Sequence, residues 1–194
     1  MCSVIWRRAV SRGDSGPRTR SHDMHNRRDY HLATSYKGLI TVYLRLAIGI
    51  GFLSAVADRL GWWGPPGTPN VSWGNLQNFL TYTAKLNPWF PGSWVPAIGW
   101  AATICEICFG VMLIIGYRTR LAAVLSGLLT LAFAVGMVCG VGIHPPLNYS
   151  VFAVSAGSFL LADVGRYPLS LDSWRETRRH PVSPGPGQEH DIAA

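Results

Sequence analysis

The chain has 194 residues, a formal net charge of +7, 48% apolar residues and only 14% charged ones. That length allows one helical bundle without an added soluble domain, and the arginines sit in segments beside apolar stretches, with no folded basic surface, which speaks against nucleic-acid binding. Of the four cysteines, Cys105, Cys108 and Cys139 fall inside apolar stretches, so the pattern is not a secreted disulfide framework.

In chain order, residues 1–36 carry Arg, Ser, Asp, His and Gly with little apolar periodicity and read as a disordered basic tail. Met24 is an alternative start that would keep Arg27, Arg28 and Lys37. No signal peptide is expected, because polar sequence follows the N-terminal arginines. Apolar stretches then occupy residues 39–60, 95–116, 121–143 and 149–164. A helix crossing a ~30 Å hydrocarbon core needs about 20 apolar residues, and the first three stretches meet that. The fourth is short and must sit shallow, thin the bilayer or borrow residues 165–169. Backbone groups in lipid must satisfy one another, so each stretch should be helical. The expected fold is all-α: an integral membrane four-helix bundle over residues 37–166, with an interfacial amphipathic helix in the first connection.

That helix is expected within residues 72–86. Leu76, Phe79, Leu80, Thr83 and Leu86 recur at three- and four-residue spacing, with prolines on both sides. It reads as a lid on the bundle's mouth or as a gate for a substrate. Trp62, Trp63, Trp73, Trp89 and Trp94 in the same connection suit a membrane interface. Residues 167–194, with Pro181, Pro184 and Pro186, read as a solvated, disordered tail. The Lys and Arg residues concentrate before the first span, at Arg118 and Arg120, and after the fourth span, leaving Arg59 and Lys85 on the other side. By the positive-inside rule both termini are cytoplasmic.

Ionisable groups inside spans mark candidate sites, because they are costly in hydrocarbon. Glu106 lies near the middle of the second span, on one face with Gly99, Thr103 and Gly110; Arg45 shares a face with Gly38, Thr41 and Gly49 in the first. Small residues line helix contacts in membranes. Both charges should therefore face inward, and Arg45 should reach Glu106. The pair is either a fold-specifying ion pair or a site for a polar headgroup or a proton. Cys105 and Cys108 form a Cys-x-x-Cys, but the helical wheel puts them about 130° from Glu106 on an apolar face, which reads as packing or lipid contact ahead of a quinone-coupled dithiol or a soft-metal site with Met112. Asp58 and Arg59 read as anchors closing the first helix at the outer surface, and Asp163 as a partner for Arg118, Arg120 or Arg166. His144 has no second metal ligand close by; no metal site and no catalytic residue is assigned.

The segments Arg45-Leu46, Ala57-Asp58-Arg59-Leu60, Leu86-Asn87-Pro88, Arg118-Thr119-Arg120 and His144-Pro145-Pro146-Leu147-Asn148-Tyr149-Ser150-Val151-Phe152 follow one another at set spacings. In that order the chain resembles the DoxX-like family of small four-helix bacterial membrane proteins over residues 39–164, departing from it at Asn148, where relatives have Asp, and at Arg59, where Lys is common. The resemblance implies a multi-pass protein of the bacterial inner membrane that is redox-associated, since name-giving relatives include a subunit of thiosulfate:quinone oxidoreductase. A quinone would need an apolar pocket with a hydrogen-bonding residue; Arg45 and Glu106 would supply polarity, with Tyr82 and Trp100 as ring contacts. Three readings follow: a quinone-linked oxidoreductase subunit, a non-enzymatic scaffold holding a soluble or membrane redox protein, and a small lipophile carrier. Homo-oligomerisation is compatible with all three. Fold alone does not choose among them.

Overall fold

A computed structural model describes the backbone of residues 20–179 and the side chains of residues 36–176 and of Arg178. The described residues form helices α1 (Arg20–Arg59), α2 (Leu76–Leu86), α3 (Val95–Ile115), α4 (Thr119–Val141), α5 (His144–Asn148), α6 (Val151–Asp163) and α7 (Leu171–Arg179), with one 3-10 turn at Gly92–Trp94. None of them is in a strand. The chain divides into two units, residues 1–36 and 37–194. In the first, residues 20–36 are helical, whereas the sequence suggested no structure there; residues 1–19 lie outside the described residues. All packing below is within the second.

Among the described residues, three stretches are long and apolar enough to cross a membrane: Tyr36–Arg59, Gly92–Ile115 and Thr119–Val141, with mean hydropathy of 2.0, 2.1 and 2.3. Their outward faces carry Ile104, Ile107, Val111, Leu128, Leu131 and Val135, all exposed. A water-soluble helix would place polar residues there. The fourth apolar helix, Val151–Asp163, has 13 residues, or about 20 Å of rise.

Local chemistry sets the helix ends. Asn75 caps α2 by accepting the Asn78 N–H at 2.8 Å, and satisfies one of the donors a helix start leaves free. The second residue of α3 is Pro96, where no N–H is needed. Gly116 ends α3 in the left-handed region, φ 74°. The α4 start is capped from a distance: Asp172, at the head of α7, accepts the N–H groups of Arg118 (2.9 Å) and Thr119 (2.7 Å) and the Thr119 hydroxyl (2.8 Å). The stretch expected to be a solvated tail thus begins with a helix docked on the α3–α4 turn.

Small residues bring the helices together. A Cβ on Gly49 would come within 2.9 Å of the Gly110 carbonyl oxygen, and one on Gly110 within 3.0 Å of that of Gly49, so α1 and α3 touch backbone to backbone. The α4 helix packs extensively against α6. There Ser155 donates to the Gly127 carbonyl at 2.9 Å, and the Phe159 ring covers Gly127. Leu44 of α1 packs on Gly157 of α6. Ile48, Phe52, Leu113, Ala122, Ala123 and Leu161 form the buried centre.

The contact also fixes how far α1 is displaced along α3. Gly49 is level with Gly110, and Arg45 sits against Gly116, the end of α3. Residues 37–44 therefore run about 12 Å past that end, with Gly38 beside Pro168. At its other end α1 stops at Arg59, whose side chain reaches Thr103 of α3.

Candidate functional site

The last residue of α1 turns its side chain into the interior. Arg59 is 4% exposed and Glu106 1%. Arg59 Nη2 donates to Glu106 Oε1 at 2.9 Å, and Nη1 lies 2.6 Å from Oε2. Nη1 also donates to the Thr103 hydroxyl at 3.0 Å, and that hydroxyl donates to the Gly99 carbonyl at 2.8 Å. Phe79 of α2 closes the remaining side, its ring centre 3.7 Å from the guanidinium carbon. The fork of an arginine matches a carboxylate on two points, and its flat face suits an aromatic ring. Arg59 Nε and Glu106 Oε2 are buried without an aligned hydrogen bond.

The loop after α1 folds back to make this closure. The Asp58 carboxylate accepts the N–H groups of Ser72 (3.1 Å), Trp73 (3.0 Å) and Gly74 (3.4 Å), and so pulls the start of α2 over the end of α1. Gly74 has φ 64°, and a Cβ there would come within 2.5 Å of the Pro66 nitrogen, so only glycine fits. Leu80 then packs on Gly99 of α3, and the backbone around Leu86 on Gly140 of α4. The exposed face of α2 carries Gln77, Asn78, Thr81 and Lys85.

These positions correct the expected pairing. Arg45 does not meet Glu106. Its guanidinium donates to the carbonyls of Pro168 (3.2 Å) and Leu169 (2.8 Å), and clips the strap after α6 onto α1. The sequence estimate aligned the ends of the two spans, whereas the Gly49–Gly110 contact offsets them. Arg59, read as a surface anchor, is the true partner. Nor do the two expected ring contacts line the pair. Trp100 is 48% exposed, on a different face of α3. Tyr82 is separated from Arg59 by two rings, Trp73 at 4.9 Å and then Phe79, whose centroid is 5.6 Å from that of Trp73. Burial, with the Tyr149 phenol nearby, pushes the Tyr82 phenol above its ordinary range. Asp163 is exposed, and the carboxylate that organises its end of the molecule is Asp172. No local pattern marks Asp172, because it caps a helix some fifty residues earlier in the chain.

Cys105 is half-buried, Cys108 and Cys139 are exposed, and all three are free thiols. No group of three or more metal-binding side chains gathers among the described residues. An open cleft of about 540 Å³ lies beside α1, lined by Ser54, Asp58, Trp63 and Trp73 among others; its walls include none of Arg45, Tyr82, Trp100 and Glu106.

The family model described as methylamine utilisation protein MauE matches residues 36–148, more than half of the chain. No curated protein and no solved structure matches it. The match overturns the DoxX-like resemblance in favour of a different membrane family. Most of the segments that suggested DoxX lie at helix ends and turns, at the close of α1 and α2 and at the starts of α4, α5 and α6, places that any small helical membrane protein must fill. With its three apolar helices, the match makes this a multi-pass protein embedded in lipid. The matched segment holds Arg59 and Glu106; α6 and α7 lie beyond it.

Proposed function

The chain belongs to the methylamine utilisation MauE family, and from that premise we propose that it serves methylamine utilisation as an accessory membrane protein, supporting a redox complex without carrying the reaction. Methylamine carbon is reduced, so drawing on it calls for an oxidation, and a redox complex is the natural partner. The observation that carries the accessory role is the self-contained polar centre. Arg59 and Glu106 neutralise each other, Thr103 and Phe79 occupy their flanks, and α2 lies on top. Such an arrangement favours specifying the fold over binding a ligand. The quinone reading has lost its geometric premise, since it needed Arg45 and Glu106 on one pocket. The lipophile-carrier reading has no observation in its favour.

Loss of the gene should abolish growth on methylamine while leaving growth on ammonium and a multicarbon source intact. Wild-type protein and the Cys105→Ala/Cys108→Ala variant should both restore it. Undiminished growth of the deletion strain on methylamine would overturn the assignment. Binding of a ubiquinone analogue by the purified chain, lost in Glu106→Gln, would overturn the accessory role alone.

A further inference from the structure

The ends of α3 and α4 nearest α7 differ in chemistry from the ends nearest α2. Between residues 60 and 94 the one Lys or Arg is Lys85. At the α7 end, Arg118, Arg120, Arg166, Arg175 and Arg178 are all exposed, against two exposed carboxylates, Asp163 and Glu176. The third acid of the region, Asp172, is committed to capping α4.

The arginines are carried on a surface held in place. Asp172 donates its own N–H to the Gly116 carbonyl at 3.1 Å while its carboxylate grips the α4 start. Arg175 lies over the Tyr117 ring at 4.9 Å, and Arg178 over Trp174 at 3.8 Å. Both stacks leave the guanidinium N–H groups free to donate outward. Apolar side chains emerge from the same short segment: Leu169 is 84% exposed, Trp174 52% and Leu171 38%. Leu169 also has φ 49°, which is costly for a residue with a side chain. The two Arg45 hydrogen bonds to the strap hold it there.

We propose that α7 and the strap before it form an interfacial platform that binds acidic phospholipid headgroups of the leaflet at this end of the molecule. A short helix with arginines beside exposed Trp and Leu, tied to the ends of two spans, stands where headgroups meet acyl chains. Leu169, Leu171 and Trp174 enter the acyl boundary, and the arginines donate to phosphodiester oxygens. An acidic protein would find the same charges, but it would have no use for three apolar side chains lying at the bilayer edge. The α7 helix and the strap lie outside the matched segment, and the platform does not rest on the role in methylamine use.

The test uses the full chain in a zwitterionic detergent, titrated with dioctanoyl phosphatidylglycerol, dioctanoyl phosphatidylcholine or inorganic phosphate while the melting midpoint is read. Phosphatidylglycerol should raise the midpoint; phosphatidylcholine and phosphate should not. Arg166→Gln, Arg175→Gln and Arg178→Gln should each weaken the apparent affinity by about five-fold. Lys85→Gln, at the other end, should leave it unchanged. Trp174→Ala should weaken binding of the dioctanoyl lipid with the arginines intact. An equal response to both lipids, or a full response to phosphate alone, would overturn the platform. So would a phosphatidylglycerol response that survives all three arginine changes together, or capture of an acidic protein with no lipid preference.

Discussion

At the scale of single residues, the buried pair decides most. Arg59 and Glu106 share four atoms of contact in a space both enter almost completely. Removing one member of a buried pair leaves an uncompensated charge, at about 3–5 kcal/mol in soluble proteins, and less in a membrane, where the unfolded reference also finds partners. Glu106→Gln and Arg59→Gln should each lower the melting midpoint of the detergent-purified chain, and the double variant should cost less than the sum of the two. Arg45→Gln should be additive with Glu106→Gln, because Arg45 bonds the strap. Additivity of the Arg59 and Glu106 changes would refute the pairing. The sequence made both charges visible as intramembrane ionisable residues but not their partners, since pairing depends on the offset between α1 and α3. Nothing local to Arg45 or Arg59 encodes that offset.

Tyr167 makes a second prediction at this scale. Its hydroxyl donates to the carbonyls of Leu161 and Ala162, 3.2 Å each. Burial holds the phenol neutral above the ordinary tyrosine range; Arg120 opposes this, and Asp172 and Asp163 add to it. A raised folded-state pKa means the folded chain holds the proton more tightly. The stabilisation is therefore complete below the ordinary tyrosine range and is lost as pH rises through the raised value. Tyr167→Phe should flatten the alkaline limb of the stability profile and leave neutral pH to register only the lost hydrogen bonds, about 1 kcal/mol. An unchanged alkaline limb would show that another group governs it.

At the scale of elements, helix identity was legible and helix depth was not. The three long apolar stretches and the 76–86 pattern are readable from hydropathy and periodicity alone, as their amide groups must pair internally and their faces alternate. The fold-back of the loop onto Asp58 was hidden, because a carboxylate receiving three backbone N–H groups across 14 to 16 residues leaves no periodic trace. The helix at α7 was hidden behind composition: Pro and Gly dominate only after residue 180, and the Arg-rich turn before it looked like part of the same tail. The α1–α3 contact gives the sharpest test of an element. Gly110→Val would drive a branched side chain into the Gly49 carbonyl and the Leu53 side chain, an overpacking that costs typically 1–3 kcal/mol. At Gly51 nothing lies within 4 Å of an added Cβ, and Gly51→Ala should be neutral or slightly stabilising through helix propensity. Equal melting midpoints for the two variants would mean that the helices do not meet there.

At the scale of the whole molecule, what remains is how often the chain crosses the bilayer. Three helices are long enough to span unaided, and an odd number of crossings would put the two ends of the chain on opposite sides. The 13 residues of α6 rise about 20 Å against a core of ~30 Å. Yet α6 packs extensively on α4, and α5 precedes α6 with only Tyr149 and Ser150 between. A short helix packed along a full span can cross by local thinning and by its flanks, at a cost of fractions of a kcal/mol per ångström. Charge points the same way. With Arg59 neutralised inside by Glu106, the connection that holds α2 retains Lys85 as its one free cation, while the α7 end exposes five arginines. By the positive-inside rule that contrast predicts α7 on the cytoplasmic side and α2 outside. A phosphatase reporter inserted at Pro66 should be active, and one fused after Arg179 inactive; a cytoplasmic reporter should give the reverse. A reporter at the N-terminus should match the one at Arg179. Opposite compartments for those two would mean three crossings, with α6 lying in the interface.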